Sequence, residues 1–85
     1  MKIHVRYAGL ARNKVGKSAE TLEIGPGSTL RDLMAVLETV FGETIANPER
    51  YIVVHNHQGC PRQKWPDHHL QEGDEVLLIS NIAGG

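Results

Sequence analysis

"EGDEVLLISNIAGG", residues 72–85, joins a strand that is apolar on both faces to a short tail ending in two glycines. Side chains alternate along a strand, so in "EVLLIS" Val76 and Leu78 point to one side and Leu77 and Ile79 to the other. A single helix can cover only one of those pairs. The preceding "EGD" reads as a tight turn, with Gly73 expected at positive φ and Asp74 helping to hold the turn. The glycine pair adds little to a core, because glycine buries no side chain and loses the most backbone entropy on folding. What it supplies is a thin, flexible carboxylate at Gly85.

The rest of the chain sets the context of that strand. In "KIHVRY" (2–7) Ile3, Val5 and Tyr7 alternate with Lys2, His4 and Arg6, the period of a half-buried strand. "ETLEI" (20–24) resumes alternation at Leu22 and Ile24, and "AGLARNKVGK" (8–17), without a sustained period, reads as a long hairpin loop. "GPGS" breaks the second strand, and Thr29 with Asp32 three residues later matches a capping box with Asp for Glu. A helix is therefore predicted from about Leu30. Leu30, Leu33, Met34, Leu37 and Phe41 form its apolar stripe, read as core, and Gly42 is placed to end it. After the turn-prone "ANP", "YIVVHN" (51–56) is β-branched enough for a third strand, and "QGCPRQKWPD" (58–67) reads as a loop.

This order predicts an α+β domain: a mixed sheet of four to five strands with one main helix packed on one face. Residues 1–85 form a single domain, with a flexible tail over 81–85. One sheet face stays uncovered, and an apolar face beside the tail is expected to dock a partner. The candidates are Leu77, Leu78 and Ile79 with Ile82 and Ala83 of the tail; which strand pair faces outward stays open.

Composition narrows the function classes. Nine basic and ten acidic side chains give a net charge of −1, so nothing pulls the chain toward nucleic acid or an anionic membrane. No stretch approaches the roughly 20 apolar residues of a spanning helix. The single Cys60 cannot form an internal disulfide, and a small unstapled domain suits a reducing compartment, so the cytoplasm is the expected location.

Few side chains look chemical. His55 and His57, two apart, with Cys60 nearby, are weak candidates for a metal site; their spacing matches no zinc pattern, and solvated loop histidines are the plainer reading. No bound metal or cofactor is expected. Cys60 has no evident base or helix terminus to activate it. "VGKS" (15–18) lacks the glycine that a phosphate-binding loop needs five positions earlier, where Ala11 stands. Trp65 reads as a packed loop anchor. With no paired carboxylates and no triad, any reacting group is the tail itself. A carboxylate that attacks the α-phosphate of ATP becomes an acyl adenylate, and glycines let the backbone pass through a channel too narrow for a Cβ. Nothing in the chain binds ATP, so the enzyme for that step lies elsewhere.

The arrangement "LQEGDEVLLISNIAGG", after strand, strand, helix and strand, resembles the MoaD/ThiS family of ubiquitin-like β-grasp sulfur carriers. "VRYAGLARNKVGKSAETLEI" and "STLRDLMAVL" are similar to the molybdopterin type, whereas "PRQKWPDHHLQEGDEV" and "IAGG" lean toward the thiamine type. The resemblance implies that the Gly85 carboxyl, next to Gly84, is adenylated and converted to a thiocarboxylate, which donates sulfur for molybdopterin or, second, for the thiamine thiazole. It implies three partners: a ubiquitin-activating-like adenylating enzyme that uses ATP, a sulfur-donating protein, and an acceptor such as the large subunit of molybdopterin synthase or thiazole synthase. The chain would be a co-substrate or small subunit rather than a catalyst alone. Two alternatives are a ubiquitin-like modifier conjugated to lysines through its diglycine and a non-covalent β-grasp binding module.

Overall fold

The computed structural model describes residues 1–41 and 51–80. Strand β1 (Lys2–Ala8) buries Ile3, Val5 and Tyr7 and exposes Lys2, His4 and Arg6, as its alternation predicts. Helix α1 (Leu10–Val15) precedes β2 (Ala19–Glu23), and α2 (Leu30–Phe41) follows. Then come β3 (Tyr51–His55), the two-residue β4 (Gln58–Gly59), a 3-10 helix (Arg62–Asp67) and β5 (Glu75–Ser80).

The sheet has five strands in the order β2-β1-β5-β3-β4. Strand β5 is central, parallel to β1 and antiparallel to β3, so the sheet is mixed as expected. Its place explains Val76 and Leu78, which face the core, but a strand covered on one face needs no apolar residues on the other, so Leu77 and Ile79 require a separate explanation.

Helix α2 opens on the capping box read from the sequence. The Thr29 N–H donates to Asp32 Oδ2 at 2.8 Å, and the Asp32 N–H donates back to Thr29 Oγ1 at 3.3 Å. Leu30, Leu33, Met34 and Leu37 are buried, in one cluster with Ile3, Val5, Val53, Val76 and Leu78. Each such side chain contributes roughly 1.5–3 kcal/mol by leaving water. The side chain of Phe41 and the predicted stop at Gly42 lie outside the described residues.

Two segments read as loops contain short helices. Six residues make under two turns of α1, too few for a period to show in the sequence. Gly9 (φ 65°) and Gly16 (φ 86°) bracket it, and its own Ala11 is fully buried. The 3-10 helix at Arg62–Asp67 carries Trp65, which is buried and whose indole N–H donates to the Cys60 carbonyl at 3.0 Å. This is the anchor expected of Trp65. Gly73 adopts φ 83°, and Asp74 holds its turn by accepting from the Gln71 N–H at 2.8 Å.

Candidate functional site

The face of the sheet away from α2 is set by strand register. Val76 and Leu78 are fully buried in the core, so Leu77 and Ile79 point to the other side. Leu78, one of the expected docking residues, is corrected on this point: its partner Val53 and its neighbour Tyr7 are also core residues. Across from Leu77 and Ile79, β3 presents Val54 and Ile52, and β1 presents Arg6 and Ala8. Ile52 is 53% exposed, high for an isoleucine in a sheet. The result is an apolar strip of Ala8, Ile52, Val54, Leu77 and Ile79. At its edge Arg6 and Glu75 form an exposed ion pair at 3.8 Å, which is worth little to stability.

Ile52 and Val54 did not appear among the expected docking residues. In "YIVVHN" nearly every position is apolar, so alternation does not say which side faces out. Only pairing with β5 decides it. The strip runs along β5 toward its last described residue, Ser80. Ile82, Ala83, Gly84 and Gly85, the remaining tail candidates, lie outside the described residues.

The other end of β5 is polar. His55 Nε2 lies 2.7 Å from Asp74 Oδ2, and His55 Nδ1 lies 2.6 Å from His68 Nε2. Burial alone would raise the Asp74 carboxyl, but hydrogen bonds from His55, Asn56 and the Gln71 backbone outweigh it and hold Asp74 below the usual carboxylate range. Burial lowers His68, helped by the nearby His55 and only partly opposed by Asp74. The structure does not assemble His55, His57 and Cys60 into a site. His55 is engaged with Asp74 and His68, His57 sits exposed at φ 72° in the β3–β4 turn, and Cys60 is buried. Among the described residues no group of three His, Cys, Asp or Glu side chains is placed to hold a metal ion. Burial pushes the Cys60 thiol up, with Lys64 opposing in part, the reverse of what a nucleophile needs. No helix among the described residues is long and apolar enough to cross a membrane.

Comparison with known proteins bears on both fold and tail. The sequence pattern of the ThiS family is matched by residues 5–85 of this chain, through the glycine pair. The sulfur carrier protein ThiS of Escherichia coli (strain K12) is 50% identical over 30 residues, which cover 35% of this chain and 46% of that protein. The chain thus spans about half the length of the curated relative it matches. Among solved structures, a Pyrococcus furiosus protein described as molybdopterin converting factor subunit 1 superposes with a TM-score of 0.81 at 19% identity, over 96% of this chain and 99% of that one. A chain of the Helicobacter pylori 26695 complex of molybdopterin-converting factor subunits 1 and 2 gives 0.69 at 19%, over the full length of both chains. The small archaeal modifier protein SAMP1 of Haloferax volcanii gives 0.78 at 14%, also over both full lengths. At these identities the structural likeness is one of fold, the ubiquitin-like β-grasp.

Proposed function

The chain belongs to the ThiS family, and from that premise we propose that it is a sulfur carrier whose working group is the carboxyl of Gly85. The observation that carries this reading is the family match running through "IAGG" to residue 85. In the reaction, a carboxylate oxygen of Gly85 attacks the α-phosphorus of ATP held by an activating enzyme, and pyrophosphate leaves. A hydrosulfide-level nucleophile then attacks the acyl carbon, AMP departs, and a thiocarboxylate remains. The glycines at 84 and 85 let the tail lie extended in a narrow channel from which water is excluded.

The domain's part is recognition. The strip of Ile52, Val54, Leu77 and Ile79 docks the adenylating enzyme and then the acceptor synthase, because it is apolar, exposed at Ile52 and half-exposed at the other three, and includes the strand that leads into the tail. The helix in the β1–β2 connection and the full-length likeness to a molybdopterin converting factor subunit support molybdopterin as the first acceptor. Identity with ThiS over 30 residues supports the thiamine thiazole as the second.

The test is intact mass after incubation with ATP, a sulfur donor and a ubiquitin-activating-like enzyme. The expected product carries sulfur for one oxygen, confined to the last peptide. Sulfur on Cys60 as a persulfide would overturn the reading. Amide-linked ladders on cellular proteins, with no thiocarboxylate, would replace it with the modifier role to which SAMP1's likeness points.

A further inference from the structure

Asp74, His55 and His68 come from three separate pieces of chain: the turn before β5, the end of β3 and the residue after the 3-10 helix. Their side chains are in line, carboxylate to imidazole to imidazole, at 2.7 and 2.6 Å. The rings of His55 and His68 meet edge-on, 4.6 Å between centres and 89° between planes. The side chains of His55 and Asp74 are only 14% and 12% exposed, so water gives them little alternative.

With both rings neutral, one assignment of hydrogens satisfies every contact. His55 carries its proton on Nε2 and donates to Asp74; His68 carries its proton on Nε2 and donates to His55 Nδ1. Adding one proton to the pair keeps the line intact. His55 Nδ1–H then donates to His68 Nε2, and the His68 proton moves to Nδ1. A second proton cannot be accommodated, because both facing nitrogens would carry hydrogen and two cations would touch.

We propose that this line is a proton-operated latch between the 3-10 helix segment and the sheet, closed with no proton or one proton on the imidazole pair and opened by the second. The groups that face it are consistent with this. Asp74 is the carboxylate in contact, and it also accepts from Asn56 at 3.1 Å and from the Gln71 N–H at 2.8 Å. His69 and Lys64 add positive charge around His68 and oppose the second proton. Asp32 on the first turn of α2 is held by Thr29, and Glu75 pairs with Arg6 on the open face.

The latch has a mechanical reach. The His68 carbonyl accepts from the Leu30 N–H at 2.8 Å, and the Leu70 N–H donates to Ser28 at 3.0 Å, so the segment is stitched to the start of α2. The same segment buries Trp65, the chain's single tryptophan. Opening releases the segment from the sheet at His55 while its backbone bonds to Ser28 and Leu30 act as the hinge, and Trp65 on the same segment reports the change. Asp74 precedes β5 and Ser80 ends it, so opening at Asp74 leaves the Ser80 end of the strand in place.

The experiment is a titration of the full-length protein from neutral to mildly acidic pH, following the His55 and His68 ring resonances by NMR and Trp65 emission by fluorescence. Expected are two inflections, each visible in both rings, with the Trp65 red shift tracking the lower one. His68→Gln keeps a donor for His55 but takes no proton, and should lose the Trp65 transition in that range; His57→Gln should retain it. Single, independent inflections in the two wild-type rings, or a Trp65 transition that persists unchanged in His68→Gln, would overturn the latch. The wild-type spectra decide the matter even if the variant fails to fold.

Discussion

Ile52 of β3 stands directly opposite Ile79 of β5 on the face that α2 leaves bare. One residue along, Val53 stands opposite Leu78 in the core. The same two strands thus place one pair in the core and the next on the bare face, and the two positions can be told apart by substitution.

Ile52→Glu, at an exposed position, should leave the unfolding free energy within about 0.5 kcal/mol of the parent, and Ile79→Glu, at a half-buried one, should cost more than that but less than a core change. Affinity for the activating enzyme should fall on the order of tenfold or more, since a charge at an interface core must be desolvated without a partner. Leu78→Ala should behave oppositely, destabilising by about 2–5 kcal/mol through the cavity it leaves. Chemical denaturation alongside calorimetric binding checks both. Equal unfolding by all three changes would mean that the face is not open.

Gly84→Ala and Gly85→Ala should keep the parent melting temperature while slowing adenylation or sulfur transfer, because a methyl group has little room in a closed channel. One residue appended after Gly85 should abolish transfer by moving the carboxylate out of reach. Stability and activity are read on the same samples by melting and by intact mass. Transfer to the new terminus at the parent rate would contradict the threading of the tail.

Stability should fall with acid in two windows. His68 titrates lower in the folded chain than its ordinary value of about 6.5, so the unfolded chain binds the extra proton first and stability declines as pH drops below that value. Asp74 is also lowered, so its contribution is present above the usual carboxylate range and is lost as pH falls through its folded value. Urea midpoints measured across pH should show both declines. Asp74→Asn should remove the lower one, and His68→Gln the upper.

Cys60 should react slowly with alkylating agents in the native protein and quickly in urea, since it is buried and its thiol is pushed up. Mass spectrometry of quenched samples gives both rates. Fast native labelling would place the thiol in solvent and reopen it as a sulfur acceptor.

Much of the fold was legible because its signals are local and repeated. Helix α2 carries a capping box and a stripe from Leu30 to Leu37, and β1 alternates without exception from Lys2 to Tyr7. Helix α1 was illegible because six residues hold no second period, and its glycine brackets look like those of any loop. The choice between Leu77 and Leu78 could not be read from a run apolar at each position; it needs the pairing of β5 with β1 and β3. The contacts of His55 with Asp74, 19 residues away, and with His68, 13 residues away, are created by turns, so no spacing rule announces them. The tail is the reverse case: its sequence points to its chemistry, while residues 81–85 lie outside the described structure.

Because β1 and β5 run parallel in the middle of the sheet, with Val5 beside Val76 and Tyr7 beside Leu78, the start of β1 at Lys2 and the end of β5 at Ser80 lie at opposite ends of the pair. A partner hauling on the chain beyond Ser80 along the strand axis therefore loads β5 in shear, against hydrogen-bonded neighbours on both edges at once. Bonds loaded in shear yield together, whereas bonds at a peeled edge yield one after another. A pull on Ser80 against a hold on the start of β1 is therefore resisted by the sheet as a unit.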